Sequence, residues 1–199
     1  MNLMIKPLSF ESEDNVNTNS KSTVYSKPLR LLHWLMALMV IGLLLFVKIH
    51  EWFPKGDFRN FLVETHKQLG LLVLLLIGLR LVVRLKSFVP PISPALSAWM
   101  HLASKIAHAL LYLGMISIPV LGILFTQAKG KELDLLGLTL PTFIDEDRWL
   151  PYSLSLKSLH EWLGNALMYL IIIHVVLAIY HHWWRRDNTL LRMVGKDSR

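Results

Sequence analysis

The sequence predicts an all-α fold, a four-helix transmembrane bundle, and three observations carry that expectation. Hydrophobic side chains make up 53% of the 199 residues and the mean hydropathy is +0.44, whereas soluble domains reach about 45–50% apolar only with glycine counted. The apolar residues gather into four long segments instead of spreading along the chain. Trp34, Trp52, Trp99, Trp162, Trp183 and Trp184 fall near the ends of those segments, where an interfacial aromatic belt places its rings.

Residues 1–24 are rich in Ser, Asn, Thr and Lys without an apolar period, and read as a disordered tail. No apolar core follows the charges of this segment and no small-residue cleavage site is visible, so it does not read as a signal peptide. The first span covers Leu29–Ile49, with an unbroken apolar run from Leu35 to Val47. The second, Phe61–Leu85, carries His66, Lys67, Arg80 and Arg84 within it. The third covers Leu102–Thr126 and includes Pro119, and the fourth covers Leu159–Trp184. Each is long enough for a hydrocarbon core of about 30 Å, which takes about 20 helical residues, and a proline kink is tolerated there. No domain boundary interrupts residues 25–199, so they read as one membrane bundle.

Charge sets the expected orientation. The formal charge is +7, which fits nucleic-acid binding, acidic lipid or the positive-inside rule. The basic residues flank the apolar segments, so the third reading is taken and no nucleic-acid partner is expected. Four spans put both termini on one side. That side, residues 1–30, 80–105 and 183–199, carries 13 Lys and Arg against 5 Asp and Glu, while the opposite loops, 48–67 and 127–161, carry 8 and 9. Both termini are therefore expected in the cytoplasm of a bacterial inner membrane. There are no cysteines, which excludes disulfides, covalent haem attachment through Cys-x-x-Cys-His and thiolate-held iron–sulfur clusters.

Nine histidines remain as candidate ligands, and a ligating residue inside a span is a functional candidate by default. A lone histidine near a span end is more often interfacial; several deep ones on different helices are a different matter. His160 and His174 share the fourth span fourteen residues apart, which places them within about 40° of one face and about 21 Å apart along the axis. One cofactor cannot use both, so the spacing points to two stacked sites. By depth, His66 matches His160 toward the outer face. His33 and His108 both match His174 toward the inner face, and depth alone leaves that choice open. Side chains at i and i+4 share a helix face, so a small residue there makes room for a flat cofactor. His33 is followed by Ala37, His66 by Gly70, His160 by Gly164 and His174 by Ala178, whereas His50, His101, His108, His181 and His182 are followed by Pro54, Lys105, Tyr112, Arg185 and Arg186. Small residues also serve helix packing, but the small-neighbour pattern selects His33 over His108. Arg80 lies fourteen residues after His66, on the same face, where it would meet a haem propionate or a quinone oxygen or snorkel to the headgroups. Arg84 reads as a snorkelling residue. Lys157 sits just outside His160, marking the interface or guiding an anion inward.

With these residues in view, the chain resembles the bacterial cytochrome b561 family. The matching stretches are Tyr25-Ser26 before His33-Trp34-Leu35, then His66-Lys67 with Gly70 and Arg80, then His101 to His108 before Leu-Leu-Tyr-Leu. They continue through Ser155-Leu-Lys-Ser-Leu-His160-Glu161, His174, and the tail His181-His182-Trp-Trp-Arg-Arg-Asp187-Asn-Thr-Leu-Leu-Arg-Met193. The resemblance covers about residues 25–196. It implies two haem b groups with His33, His66, His160 and His174 as iron ligands, and electron exchange with membrane ubiquinone. Some relatives oxidise superoxide at the outer face and pass the electron to ubiquinone; others are membrane anchors that carry electrons for a partner dehydrogenase or hydrogenase. The expectation is therefore a membrane oxidoreductase passing single electrons from an outer-face donor, superoxide among the candidates, to ubiquinone. The alternative is a cytochrome b anchor subunit, and a non-redox scaffold would lack a Soret band. His108, Arg80, His181 and His182 are expected around the inner haem as the quinone-reducing side, with Lys157 at the outer one. The acidic outer loop Asp145-Glu146-Asp147 departs from the family pattern and works against attraction of an anion.

Overall fold

The computed structural model describes residues 23–196. The expected tail, 1–24, lies outside the described residues apart from its last two. Among the described residues, four helices are long and apolar enough to cross a membrane. Helix α1 spans Lys27–Ile49, with Pro28 in its first turn, where the missing N–H costs nothing and φ is already helical. A single 3₁₀ turn, His50–Trp52, extends it. Helix α2 spans Asp57–Lys86, with Asp57 in its first turn and Arg84 and Lys86 in its last, each charge opposing the helix-end dipole. Helix α3 spans Ala98–Gln127 with Pro119 inside it. A two-stranded antiparallel hairpin follows, β1 Asp134–Leu135 and β2 Leu138–Thr139. Then come the short helix α4, Glu146–Trp149, the long α5, Ser153–Trp183, and α6, Thr189–Val194.

Three helix starts differ from expectation by four residues or more. Helix α2 starts at Asp57, four residues before Phe61, α3 at Ala98, four before Leu102, and α5 at Ser153, six before Leu159. Hydropathy marks the hydrocarbon crossing, whereas the helix continues into polar turns where water satisfies its end groups. With 31 residues, α5 is about 46 Å long at 1.5 Å per residue, so it exceeds the hydrocarbon core.

The helices pack as two antiparallel pairs, α1 on α2 and α3 on α5, with a smaller contact between α2 and α3. The buried core lies inside the first pair, where Met36 and Val40 of α1 meet Val73 and Ile77 of α2. Tyr112, Met115 and Ile171 pack on it from the second pair. The predicted belt tryptophans stay on the outside: Trp52, Trp99, Trp162, Trp183 and Trp184 are all exposed.

The end that carries the start of α1 and the end of α5 is closed by the segment around α6. The Asn188 N–H donates to the Ser93 carbonyl at 3.0 Å and the Ser93 N–H to Asn188 Oδ1 at 2.9 Å. Arg192 is buried and donates to the Pro90 carbonyl, its guanidinium lies 5.3 Å over Tyr25, and the Trp34 indole donates to the Met193 carbonyl at 3.2 Å. Helix α6 thus holds the start of α1 and the α2–α3 connection together. At the opposite end, the hairpin turn needs a left-handed backbone at both Leu136 (φ 52°) and Gly137 (φ 86°), the pattern of a tight two-residue turn. Gln68 of α2 secures it by donating to the Asp134 carbonyl at 2.6 Å and accepting from the Leu136 N–H at 3.0 Å.

Candidate functional site

The four depth-paired histidines meet across the seam between the two helix pairs. His66 of α2 faces His160 of α5 with ring centres 6.2 Å apart and planes at 82°. His33 of α1 faces His174 of α5 at 6.4 Å and 87°. All four rings are half-buried. A metal–imidazole bond is about 2 Å and the ring centre lies about 1 Å behind its nitrogen, so two imidazoles on opposite sides of one metal have centres about 6 Å apart. Both pairs have that separation. Among the described residues no three His, Asp or Glu side chains are placed so as to hold a metal ion between them. A bare ion wants three or four protein ligands, whereas two opposed nitrogens suit an iron whose remaining positions a porphyrin fills. The donor set therefore fits haem.

Ring orientation is explicit in one pair. His160 Nδ1 lies 2.8 Å from the Ile118 carbonyl and His66 Nδ1 lies 3.2 Å from the Leu43 carbonyl. A carbonyl can only accept, so in both rings the proton sits on Nδ1 and Nε2 keeps the free lone pair that a metal needs. Gly122 of α3 makes the His160 position possible: a Cβ there would lie 3.2 Å from His160 Cε1 and 3.4 Å from Nδ1. The small neighbours have space as expected. A Cβ on Gly164 would meet nothing within 4 Å, and one on Gly70 would meet only Leu43 Cδ1 at 3.8 Å. Ala37 and Ala178 are half-buried on the corresponding turns below His33 and His174.

His108 also approaches His174, with ring centres 5.5 Å apart. Its ring is exposed, and its Nδ1 donates at 2.6 Å to the Ser104 carbonyl one turn back on its own helix. The structure thus brings His33, His108 and His174 together at one level, as depth predicted. Arg80 lies near this cluster, within electrostatic reach of His33 and His174. Its guanidinium lies 5.8 Å over the Tyr112 ring, and its Nε is buried without a hydrogen-bond partner among the described residues. A buried donor left over beside a histidine pair is the kind of group a carboxylate of a bound cofactor would satisfy. Arg84, expected to snorkel, lies 5.9 Å over the ring of Tyr25, two residues before α1.

Two of the remaining candidates, His181 and Lys157, have partners of their own. His181 Nδ1 lies 2.5 Å from Asp187 Oδ2, inside the C-terminal closure. The buried Asp187 also accepts from the Thr189 N–H at 3.0 Å and has Arg185 Nε at 3.5 Å. Burial alone would raise the Asp187 pKa, but the hydrogen bonds from His181 and Thr189 outweigh it and hold the carboxyl below its usual range. His182 is half-buried on the adjacent position. Lys157 pairs with Glu161 at 3.1 Å, so its charge is largely offset beside His160. Sequence reasoning missed the carbonyls of Leu43 and Ile118, Gly122, and the Asp187 partner of His181. Only Asp187 had a visible signal, as a carboxylate six residues after a histidine in the quoted tail.

Comparison with known proteins bears on the same residues. The family model described as prokaryotic cytochrome b561 matches residues 24–196. The chain is 32% identical over 182 residues to "Cytochrome b561 homolog 1" of Escherichia coli (strain K12), covering 91% of this chain and 99% of that protein. It is 29% identical over 165 residues to "Probable superoxide oxidase CybB" of Yersinia pestis, covering 83% and 92%. It is 30% identical over 175 residues to "Cytochrome b561 homolog 2" of Escherichia coli (strain K12), covering 83% and 88%.

Proposed function

The chain belongs to the prokaryotic cytochrome b561 family, and from that premise we propose that it is a di-haem electron-transfer protein, ligated by His66 with His160 and by His33 with His174. The observation that carries this reading is the pair of histidine separations, 6.2 and 6.4 Å, set one above the other on α5. Haem, when bound, supplies a one-electron iron couple at each level. The protein's part is to hold and tune it. Leu43 and Ile118 fix the ring protons of one pair, Gly70 and Gly164 leave room beside it, and Ala37 and Ala178 do the same for the other. With two imidazoles per iron no coordination position is left for O₂, which favours outer-sphere electron exchange. Arg80 is positioned to neutralise a propionate or bind a quinone oxygen at the His33–His174 level.

The overall reaction proposed is oxidation of an outer-face donor by ubiquinone at the inner membrane, with both termini cytoplasmic. Superoxide is the donor that the name of the Yersinia pestis relative, a probable superoxide oxidase, suggests. In that case two superoxide anions each lose one electron to give O₂, and one ubiquinone takes up the two electrons with two protons. Quinone reduction is assigned to the His33–His174 level with Arg80, His108, His181 and His182. A second reading has its own observation. The loop Asp145-Glu146-Asp147 is acidic and Lys157 is paired with Glu161, so the face near His160 suits a cationic protein donor better than a small anion. On that reading the chain is the membrane anchor of a partner oxidoreductase.

A pyridine haemochrome assay on the purified chain tests the cofactor assignment, with two b-type haems per polypeptide expected. A value of one removes the stacked-site reading. Loss of a haem in His108→Ala, with both retained in His33→Ala, reverses the ligand assignment. Stopped-flow oxidation by pulsed superoxide, with ubiquinone-1 as acceptor, separates the donors: a second-order rate that falls with salt supports an anionic donor, and no reaction leaves the partner-subunit reading.

A further inference from the structure

We propose that the groove between α1 and α5 at the His66–His160 end binds the phosphate headgroup of an anionic phospholipid. The groove has a volume of about 570 Å³ and is lined by Lys48 of α1 and by Trp162, Asn165, Ala166, Met168 and Tyr169 of α5. Its central feature is the Lys48 ammonium, which donates to Asn165 Oδ1 at 3.0 Å. The amide that holds it is neutral. Among the described residues no carboxylate lies within ion-pairing distance of Lys48, while Lys67 and Lys157 at the same end both have glutamate partners. Lys48 is thus an oriented cation whose charge no carboxylate among the described residues compensates.

The rest of the lining selects the class of anion. Asn165, Trp162 and Tyr169 carry amide, indole and hydroxyl donors, and Met168 and Ala166 add apolar side chains to the lining. A lining that mixes donors with apolar surface matches a phosphate joined to acyl chains. Trp162 and Trp183 stand 21 residues apart on α5, about 31 Å along the helix, which is the thickness of the hydrocarbon core, so Trp162 marks the outer boundary. Asn165 lies within one turn of it, about 4 Å to the hydrocarbon side, so a phosphate held by Lys48 is drawn inward from the headgroup plane. The Tyr169 side chain leans toward the start of its helix, hence toward that boundary, and Lys48 leans into the bilayer toward Asn165. Trp162 and Tyr169 are 67% and 62% exposed, so the site opens on lipid rather than on the bundle interior. Basic pockets between membrane helices bind anionic headgroups by this charge complementarity. A lipid seated here would join α1 to α5, helices that belong to different packed pairs, one turn from His160. The proposal requires only that the four helices span a bilayer, and it stands apart from the haem assignment.

Native mass spectrometry of the purified full chain, released from micelles doped with dioleoyl phosphatidylglycerol or dioleoyl phosphatidylcholine, tests it. One phosphatidylglycerol should survive activation on the native chain, and phosphatidylcholine should be lost. Lys48→Gln should weaken retention about fivefold, the worth of one basic residue at a membrane surface. Lys48→Arg should keep it, and Trp162→Leu should reduce it without touching the charge. The far-UV circular dichroism of each variant reports folding independently. Equal retention of both lipids, or full retention in Lys48→Gln, overturns the proposal. Displacement of phosphatidylglycerol by ubiquinone-1 also overturns it, in favour of a quinone headgroup in this groove.

Discussion

Gly122 and Asp187 show how single residues act on the site without belonging to the ligand set. Gly122 contributes only the absence of a side chain, yet a methyl there would press on the His160 ring from 3.2 Å. That ring is tied to the Ile118 carbonyl at 2.8 Å, and the few tenths of an ångström it would have to yield stretch that hydrogen bond and move the ring against its partner. Gly122→Ala should therefore lower haem occupancy at the His66–His160 level and shift its α-band, while the His33–His174 level stays filled. Overpacking of this kind costs about 1–3 kcal/mol, and haem content with low-temperature spectra would show it. Gly164→Leu should act on the same level by filling the space beside the ring. Loss of both haems together with the melting temperature would instead mark Gly164 as a helix-packing residue. Asp187 acts through pH. Its carboxyl is held below the usual range, so its contribution is fully present above the unfolded-state value of about 4. That contribution is lost as pH falls through the folded-state value. Thermal stability of the native chain should decline on acidification below about pH 4, and the Asp187→Asn variant should start lower and lack that component. Identical acid profiles would remove Asp187 from the account.

At the scale of elements, the hairpin and α6 are the parts whose role rests on a few hydrogen bonds. Gln68 grips the β1–β2 turn through two backbone groups, and Leu136 holds a left-handed conformation that a non-glycine residue adopts at a cost. Gln68→Leu should release the hairpin, raising hydrogen–deuterium exchange at residues 134–139 by about tenfold, the equivalent of about 1.4 kcal/mol, with the transmembrane amides unchanged. The four spans were legible in the sequence because hydrocarbon imposes a length and a composition on any helix that crosses it. Their polar extensions at Asp57 and Ser153 were not, because water imposes neither. The paired histidines were legible through depth and the small residue one turn on. What holds their rings was not: the partners are the carbonyls of Leu43 and Ile118, which every residue type offers alike. The hairpin escaped notice for a similar reason, since a two-residue strand is too short to show alternation. Lys157 illustrates the opposite failure, a charge placed correctly by sequence whose neighbour Glu161, four residues on, offsets it.

At the scale of the whole molecule, the packing is uneven in an informative way. The close contacts run within the pairs α1–α2 and α3–α5, and the histidines face each other across the seam between them. Both rings of α5 look toward the first pair, while α1 and α2 each supply one. On the proposed ligation, every iron is bonded once to each half of the molecule. Removing one ligand should then loosen the halves as well as empty a site. His160→Ala should lose one haem and also melt several degrees lower than a variant such as Lys48→Gln, which touches neither ring. Differential scanning fluorimetry alongside haem content would check this. An unchanged melting point in a chain that has lost one haem would mean that the halves cohere without it.

That division of the bundle into two hairpins has a consequence for biogenesis. Each hairpin satisfies its own backbone and presents its own apolar faces, so each can enter the bilayer as soon as the translocon releases it. Joining them is a later event, and on the proposed ligation it awaits a small molecule that the ribosome does not supply. A cell short of haem would then accumulate this polypeptide inserted but unclosed, exposed to quality-control proteases along the seam. The amount of mature protein would follow the haem supply rather than the rate of translation.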